Sequence, residues 1–78
     1  MSIQIQVRDR HGNPIGNTNV RIQFRDGFAN VYTDASGNAE LRTGGYIVST
    51  KVHGTERQHN IHTRDVERTS GAISHKMP

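Results

Sequence analysis

Between Arg21 and Arg42 stand the side chains best suited to grip an anion: the guanidinium groups of Arg21, Arg25 and Arg42, interleaved with the rings of Phe28 and Tyr32. Arginine offers a planar fork of donors that pairs two-pronged with carboxylate or phosphate and also stacks on aromatic faces. If the flanking residues alternate as strands, Arg21 neighbours Tyr32 and Arg25 neighbours Phe28 on one outer surface. Gln23 and Asn30 add amides there, and Glu40 lies beside Arg42. Such a face could hold phosphate, stack on bases or sugars, or meet an acidic protein. The same pairs also serve simply to stabilise an exposed sheet, at about 0.5–1 kcal/mol per exposed cation–π contact. Eight of the ten basic residues are Arg, which suits stacked contacts. A net charge of +3 with acidic residues interspersed nevertheless lacks the dense basic stripe of a typical nucleic-acid binder.

Other reactive types are scattered. The five histidines are His11, His53, His59, His62 and His75. On a strand, His59 and His62 point to opposite faces, which argues against one ion held by both. No metal or cofactor is expected, and half-buried or exposed imidazoles account for the count. With no cysteine there is no thiolate nucleophile, disulfide or thiolate metal site. Ser36, Ser49 and Ser70 lack the sharp strand-to-helix context of an activated serine. Asp9 and Asp34 sit in turns, where aspartate bonds to its own backbone. No catalytic residue is assigned, and an enzyme is not expected.

The elements that position these groups are strands. Ile3, Ile5 and Val7 alternate with polar residues, and Gly12, Asn13, Pro14 and Gly16 end that run. Val20, Ile22 and Phe24 form the next apolar face, up to Asp26 and Gly27, a dipeptide suited to a mirror-image two-residue turn. A turn there sets Phe24 opposite Ala29, Ile22 opposite Val31 and Val20 opposite Thr33. A second turn over Asp34 to Asn38 would pair Val31 with Leu41 and Thr33 with Ala39, completing a three-stranded meander. Tyr46, Val48, Thr50 and Val52 give another period-2 run. A hairpin with Gly54 and Thr55 at its tip places Val48 opposite Ile61, Thr50 opposite His59 and Tyr46 opposite Thr63. The expected core is Ile3, Ile5, Val7, Val20, Ile22, Phe24, Val31, Leu41, Tyr46, Val48, Val52 and Ile61.

The composition agrees. Seven Ile, six Val and seven Thr against one Leu favour strands over helices in a 78-residue chain with room for one small domain. No apolar run reaches the length of a membrane helix, and Met1 to Val7 alternate instead of forming a signal-peptide core. No membrane insertion is expected, and a cytoplasmic or virion-associated location fits. The expected fold is all-β, a small antiparallel sandwich of six to seven strands, Ig-like or transthyretin-like, over residues 1–64. Residues 65–78 form a polar C-terminal tail or a short seventh strand at Ala72 to Lys76. An apolar core this small, without a disulfide, points to support from a partner.

Several pieces carry a family resemblance: Val7 to Ile15 with its Asp9, Gly12, Asn13 and Pro14; Asn19 to Ile22; Thr33 to Leu41 with Asp34, Gly37 and Asn38; and Gly45 to Val48 with Gly54. Over residues 3 to 54 the chain resembles the carboxypeptidase regulatory-like and transthyretin-like β-sandwich domains. That resemblance implies a non-catalytic accessory or adhesive module, of the kind appended to enzymes, surface proteins, secretion spikes or phage structural proteins. The 5-hydroxyisourate hydrolases, an enzymatic branch, are similar in the opening strand but close with Tyr-Arg-Gly-Ser. Here the corresponding residues are His75, Lys76, Met77 and Pro78. The expected function is a structural or adaptor module working through protein contacts in such an assembly, as a homo-oligomer or with another protein. The alternative is a module that binds nucleic acid or an acidic polysaccharide through the arginine and aromatic face.

Overall fold

Alternation builds the strands, and short polar loops decide which sheet each one joins. The computed structural model describes residues 2–78, leaving Met1 outside the description. In chain order the elements are β1 (Ile3–Arg8), β2 (Asn19–Phe24), β3 (Gly27–Tyr32), β4 (Asn38–Leu41), β5 (Tyr46–Val52), β6 (Thr55–His62), α1 (Thr63–Arg68) and β7 (Ala72–Lys76). They form two sheets, β4-β1-β7 and β3-β2-β5-β6. The protein is therefore an all-β sandwich of seven strands. Its pairs are antiparallel except β1 with β7, which run parallel with Ile5 opposite Ile73 and Val7 opposite His75.

The core lies between the sheets. Ile3, Ile5, Val7, Ala39, Leu41 and Ile73 from one side meet Val20, Ile22, Phe24, Ile47 and Val52 from the other, and Val66 of α1 joins them. Burying each large aliphatic contributes about 1.5–3 kcal/mol.

The expected meander does not form. Chain from Asp34 to Asn38 turns, but it carries β4 into the other sheet, where Leu41 pairs with Ile3 and Ala39 with Ile5. The reason is β1: its buried stripe needs an opposing layer and lateral partners, and β4 supplies one of them. The β2–β3 hairpin does form, with Val20 opposite Val31, Ile22 opposite Ala29 and Phe24 opposite Gly27. This register lies two residues from the expected one, because Arg25 and Asp26 make the turn. Neither they nor Gly27 take positive φ, so the mirror-image turn is not used there. A two-residue shift preserves side-chain parity, so the inner face is unchanged.

The mirror-image geometry appears instead at His53 (φ 48°) and Gly54 (φ 81°), closing the β5–β6 hairpin with Val52 opposite Thr55. Thr50 consequently faces Arg57 and not His59, and Tyr46 faces His62 and not Thr63. Two irregularities then reverse parity at the start of β5. Against β2, Gln23 pairs with Ser49 and Phe24 with Ile47, so Val48 is an extra residue. Against β6, His59 and Asn60, the latter at φ 52°, stand opposite Val48 alone. Ile47 is buried as a result, and Tyr46 and Val48 are only half-buried.

Residues after Arg64 are built into the sandwich. Helix α1 starts at His62, whose Nδ1 accepts from the Arg64 N–H at 3.2 Å, and stops where Gly71 at φ 72° donates its N–H to Val66 C=O at 2.7 Å. Its single apolar residue, Val66, gives no helical period to read. The seventh strand then lies alongside β1, with Ile73 and His75 turned inward.

Two loops share one design, Asp-x-x-Gly-Asn. In Asp9 to Asn13, the Asp9 carboxylate accepts the N–H groups of His11 and Asn13 at 2.8 and 2.9 Å, and the Gly12 N–H reaches Asp9 C=O at 3.0 Å. Asp34 to Asn38 repeats each bond, with Ser36 and Asn38 donating to Asp34 at 2.8 and 3.1 Å and Gly37 to Asp34 C=O at 3.0 Å. The second loop packs against the residues flanking the first: a Cβ on Gly37 would come within 2.7 Å of Val7 O and 2.9 Å of Pro14 Cβ, while Gly12 faces open space. Both glycines have positive φ. Gly12→Ala should therefore cost about 1–2 kcal/mol, the left-handed penalty alone. Gly37→Ala should cost about 3 kcal/mol or more because a backbone clash is added. Urea midpoints of the two variants measure the difference, and equal losses would contradict that packing.

Candidate functional site

The outer surface of the β3-β2-β5-β6 sheet carries most of the anion-binding candidates. On β2, Arg21 and Gln23 face outward, and on β3, Phe28, Asn30 and Tyr32. The stacking partners differ from the sequence expectation. Arg21 lies over Phe28, its Cζ 4.0 Å from the ring centroid, and Arg25 lies over Tyr46 at 3.8 Å. The two-residue register shift puts Tyr32 opposite Asn19, out of that arrangement, and places Phe28 one step diagonally from Arg21. Tyr32 remains 70% exposed and Phe28 55%.

Arg42 does not belong to this surface. It follows β4, in the other sheet, and its Nε donates to Glu40 Oε1 at 3.0 Å. Both side chains are largely exposed, so the pair contributes at most about 1 kcal/mol. The meander would have set Glu40 and Arg42 beside β3, which is instead an edge, and β5 and β6 extend the sheet on the far side of β2. Lys51 stands directly opposite Arg21 and, on its other side, opposite Glu56, while Ser49 stands opposite Gln23. Together Arg21, Gln23, Ser49, Lys51 and Glu56 line an open depression of about 340 Å³.

Its polar groups are ordered. The Ser49 hydroxyl, almost fully buried, donates to Glu56 Oε2 at 2.8 Å. The Gln23 amide donates to Phe24 C=O at 3.0 Å and Gly27 C=O at 2.9 Å, which fixes its orientation. Arg21 and Lys51 are like charges opposite one another across a strand pair, a placement that repels. Among the described residues the ion pairs are Arg42 with Glu40 and Arg68 with Asp65, so neither cation of the depression has a carboxylate within ion-pair distance, although Glu56, bonded to Ser49, stands opposite Lys51. An anion seated between them would relieve the repulsion. Sequence alone missed Lys51, Ser49 and Glu56 because β5 was not placed beside β2. The outward parity of Ser49 and Lys51 was readable once that neighbour was known.

A second polar cluster lies between the sheets. The Thr50 hydroxyl sits 2.8 Å from His59 Nε2 and 2.7 Å from His75 Nδ1. One hydroxyl proton serves one imidazole only, so the other ring must donate. His75 Nε2 is buried without a partner. If Nδ1–H of His75 donates to Thr50 and Thr50 donates to His59, no buried N–H is left bare, and this assignment is the favourable one. Burial, then the nearby charges of Arg57 and His59, pushes His75 down to about 4, and burial lowers His59 as well. The other histidines are apart: His53 at a hairpin tip, His62 capping α1, and His11 beside Arg10. Among the described residues no three His, Asp or Glu side chains gather as metal ligands.

Asp9 is held below its usual carboxylate value, first by the Asn13 N–H and also by that of His11. It acts as a loop brace, the role expected of it.

Compared with protein-family models, curated proteins and solved structures, the chain matches none.

The buried His75 and half-buried His59 fix a pH dependence. Unfolded, His75 titrates near 6.5, and folded near 4. The unfolded chain therefore binds more protons between these values, and stability falls as pH drops from 6.5 to about 4. The loss from His75 is roughly 3 kcal/mol at most, with His59 adding in the same direction. Urea unfolding at pH 7, 5.5 and 4.5 should show falling midpoints, and His75→Leu should flatten the trend. An unchanged slope in that variant would remove His75 as its source.

Proposed function

We propose that this protein is a non-enzymatic structural or adaptor module of the transthyretin-like or carboxypeptidase regulatory-like kind, working through protein contacts in a larger assembly. The observation that carries the reading is the outer surface of the β3-β2-β5-β6 sheet, where exposed Phe28 and Tyr32 stand beside Arg21. Aromatic residues and arginine are the types enriched where protein interfaces concentrate their binding energy. The strand order supports the transthyretin-like side of the resemblance. β1 and β2 lie in different sheets, whereas immunoglobulin domains pair their first two strands. The hydroxyls nearest charged or titratable groups, Ser49 and Thr50, are tied as structural links to Glu56 and to the two histidines. That use of them supports a role without catalysis.

A second reading, binding of an anionic polymer, is favoured by one observation: Arg21 and Lys51 stand opposite one another in the depression, and among the described residues neither has a carboxylate within ion-pair distance.

The two readings separate experimentally. Affinity capture from the native host with wild-type bait and with Phe28→Ser, Tyr32→Ser bait should show proteins lost from the variant. Recovery of the same set with both baits would remove this face as the interface. For the anionic polymer, titration of a labelled oligonucleotide and of an acidic polysaccharide at several salt concentrations is decisive. Arg21→Ala with Lys51→Ala should weaken binding and reduce the salt slope by about 0.9 per cation removed for a duplex. Binding that ignores the double variant would rule this surface out.

A further inference from the structure

The two sheets have four edge strands, and three of them carry features that block pairing with another chain. β4 is only four residues long and bears the exposed Glu40–Arg42 ion pair at its end. β6 carries Glu56 and Arg57 and is interrupted by the bulge at His59 and Asn60. β7 ends in Lys76, whose carbonyl is taken by Arg57 Nε at 2.8 Å. Shortness, charge, bulges and covered backbone are the usual protections of a sheet edge. β3 has none of these. It reads Gly27, Phe28, Ala29, Asn30, Val31, Tyr32, with no charge, no proline, and an unbroken register against β2.

We infer that β3 is a self-association edge, and that its occupant is β3 of a second copy of this chain, running antiparallel about a two-fold axis at Asn30. This deepens the reading of the protein as a contact module by naming one partner. Backbone geometry selects the residues. The two-residue Arg25–Asp26 turn makes Phe24 and Gly27 the hydrogen-bonded closing pair, so Ile22 with Ala29 and Val20 with Val31 are bonded likewise. The N–H and C=O groups of Phe28, Asn30 and Tyr32 therefore point away from β2, to the open edge. Centring the axis on Asn30 sets Phe28 opposite Tyr32 of the second copy, Asn30 opposite its equivalent, and Tyr32 opposite Phe28 of the second copy. In all three facing pairs the open backbone groups meet each other.

The side chains are self-complementary in the same register. Each exposed aromatic gains an aromatic cross-strand neighbour, and the two Asn30 amides face one another. On the inner side Ala29 meets Val31 of the second copy, covering two residues that a single chain leaves half-buried against its core. Moving the axis to Ala29 or Val31 satisfies the backbone over fewer open residues and separates the aromatics. A charged partner strand has no counter-charge on β3 itself, which favours a second copy over an acidic or basic peptide. Because the pairing is isologous and the other edges are protected, it closes at two chains instead of growing into a fibre.

The test is the mass of the full chain by analytical ultracentrifugation over a dilution series, with wild type, Asn30→Lys and Asn30→Pro. Lysine at the axis sets like charges face to face. Proline removes only an N–H that points to the open edge, leaving the ladder to β2 intact. Wild type should sediment as two chains and both variants at half that mass, with unchanged circular dichroism. Since the chain has no cysteine, Asn30→Cys should also oxidise to a covalent pair, while Thr55→Cys on β6 should not. A wild type that stays a single chain at NMR concentrations overturns the inference, and so does a dimer that survives both folded variants. In either case capture of host proteins that depends on Phe28 and Tyr32 would still sustain the contact-module reading, so the two failures are distinguishable.

Discussion

Ile3, Ile5 and Val7 make one side of β1 entirely apolar, and that stripe must be sealed from water both in front and on its flanks. The facing layer comes from Val20, Ile22 and Ile47, and the flanks from β4 and β7. No arrangement of β2, β3 and β4 as one meander would achieve this, because it leaves β1 without an antiparallel neighbour. The Asp34 to Asn38 loop resolves the demand by carrying the chain across the sandwich. Its five residues are held by the Asp34 carboxylate as firmly as a hairpin turn would be, yet they connect different layers. Local turn chemistry thus fixed the bend, and the needs of β1 fixed its destination.

This explains how far the sequence was legible. Strand identity and inner-face parity from Thr18 to Val31 follow from alternation and survive a two-residue register shift. The architecture, a sandwich of six to seven strands, follows from the β-branched bias and the spacing of turns. Long-range pairing does not follow, since Leu41 fits equally well beside Val31 or beside Ile3 on hydrophobicity alone. Bulges are also invisible in the pattern. The extra residue at Val48 exchanges Ile47 for Tyr46 and Val48 in the core, and nothing before Ser49 announces it. Helix α1 was hidden because a single apolar side chain, Val66, has no period.

The candidate surface inherits the same division. Arg21, Arg25 and Phe28 were readable as a basic and aromatic group, since hairpin parity sends them outward. Their partners depended on register, so Arg21 stacks on Phe28 and Arg25 on Tyr46. Arg42 left the group with β4, and Lys51 entered it with β5. The Thr50, His59 and His75 cluster needs three strands from two sheets, a juxtaposition that no linear spacing encodes.

The parallel seam between β1 and β7 has a consequence for biosynthesis. The central strand of its sheet is made before every other element of the sandwich, and one of its two neighbours, β7, after all of them. Until translation reaches Ala72, an aliphatic ribbon is exposed with a vacant side, and contacts so distant along the chain form slowly. The nascent sandwich is therefore sticky until β7 emerges, and chaperone occupancy on β1 should be released only when that strand slots home.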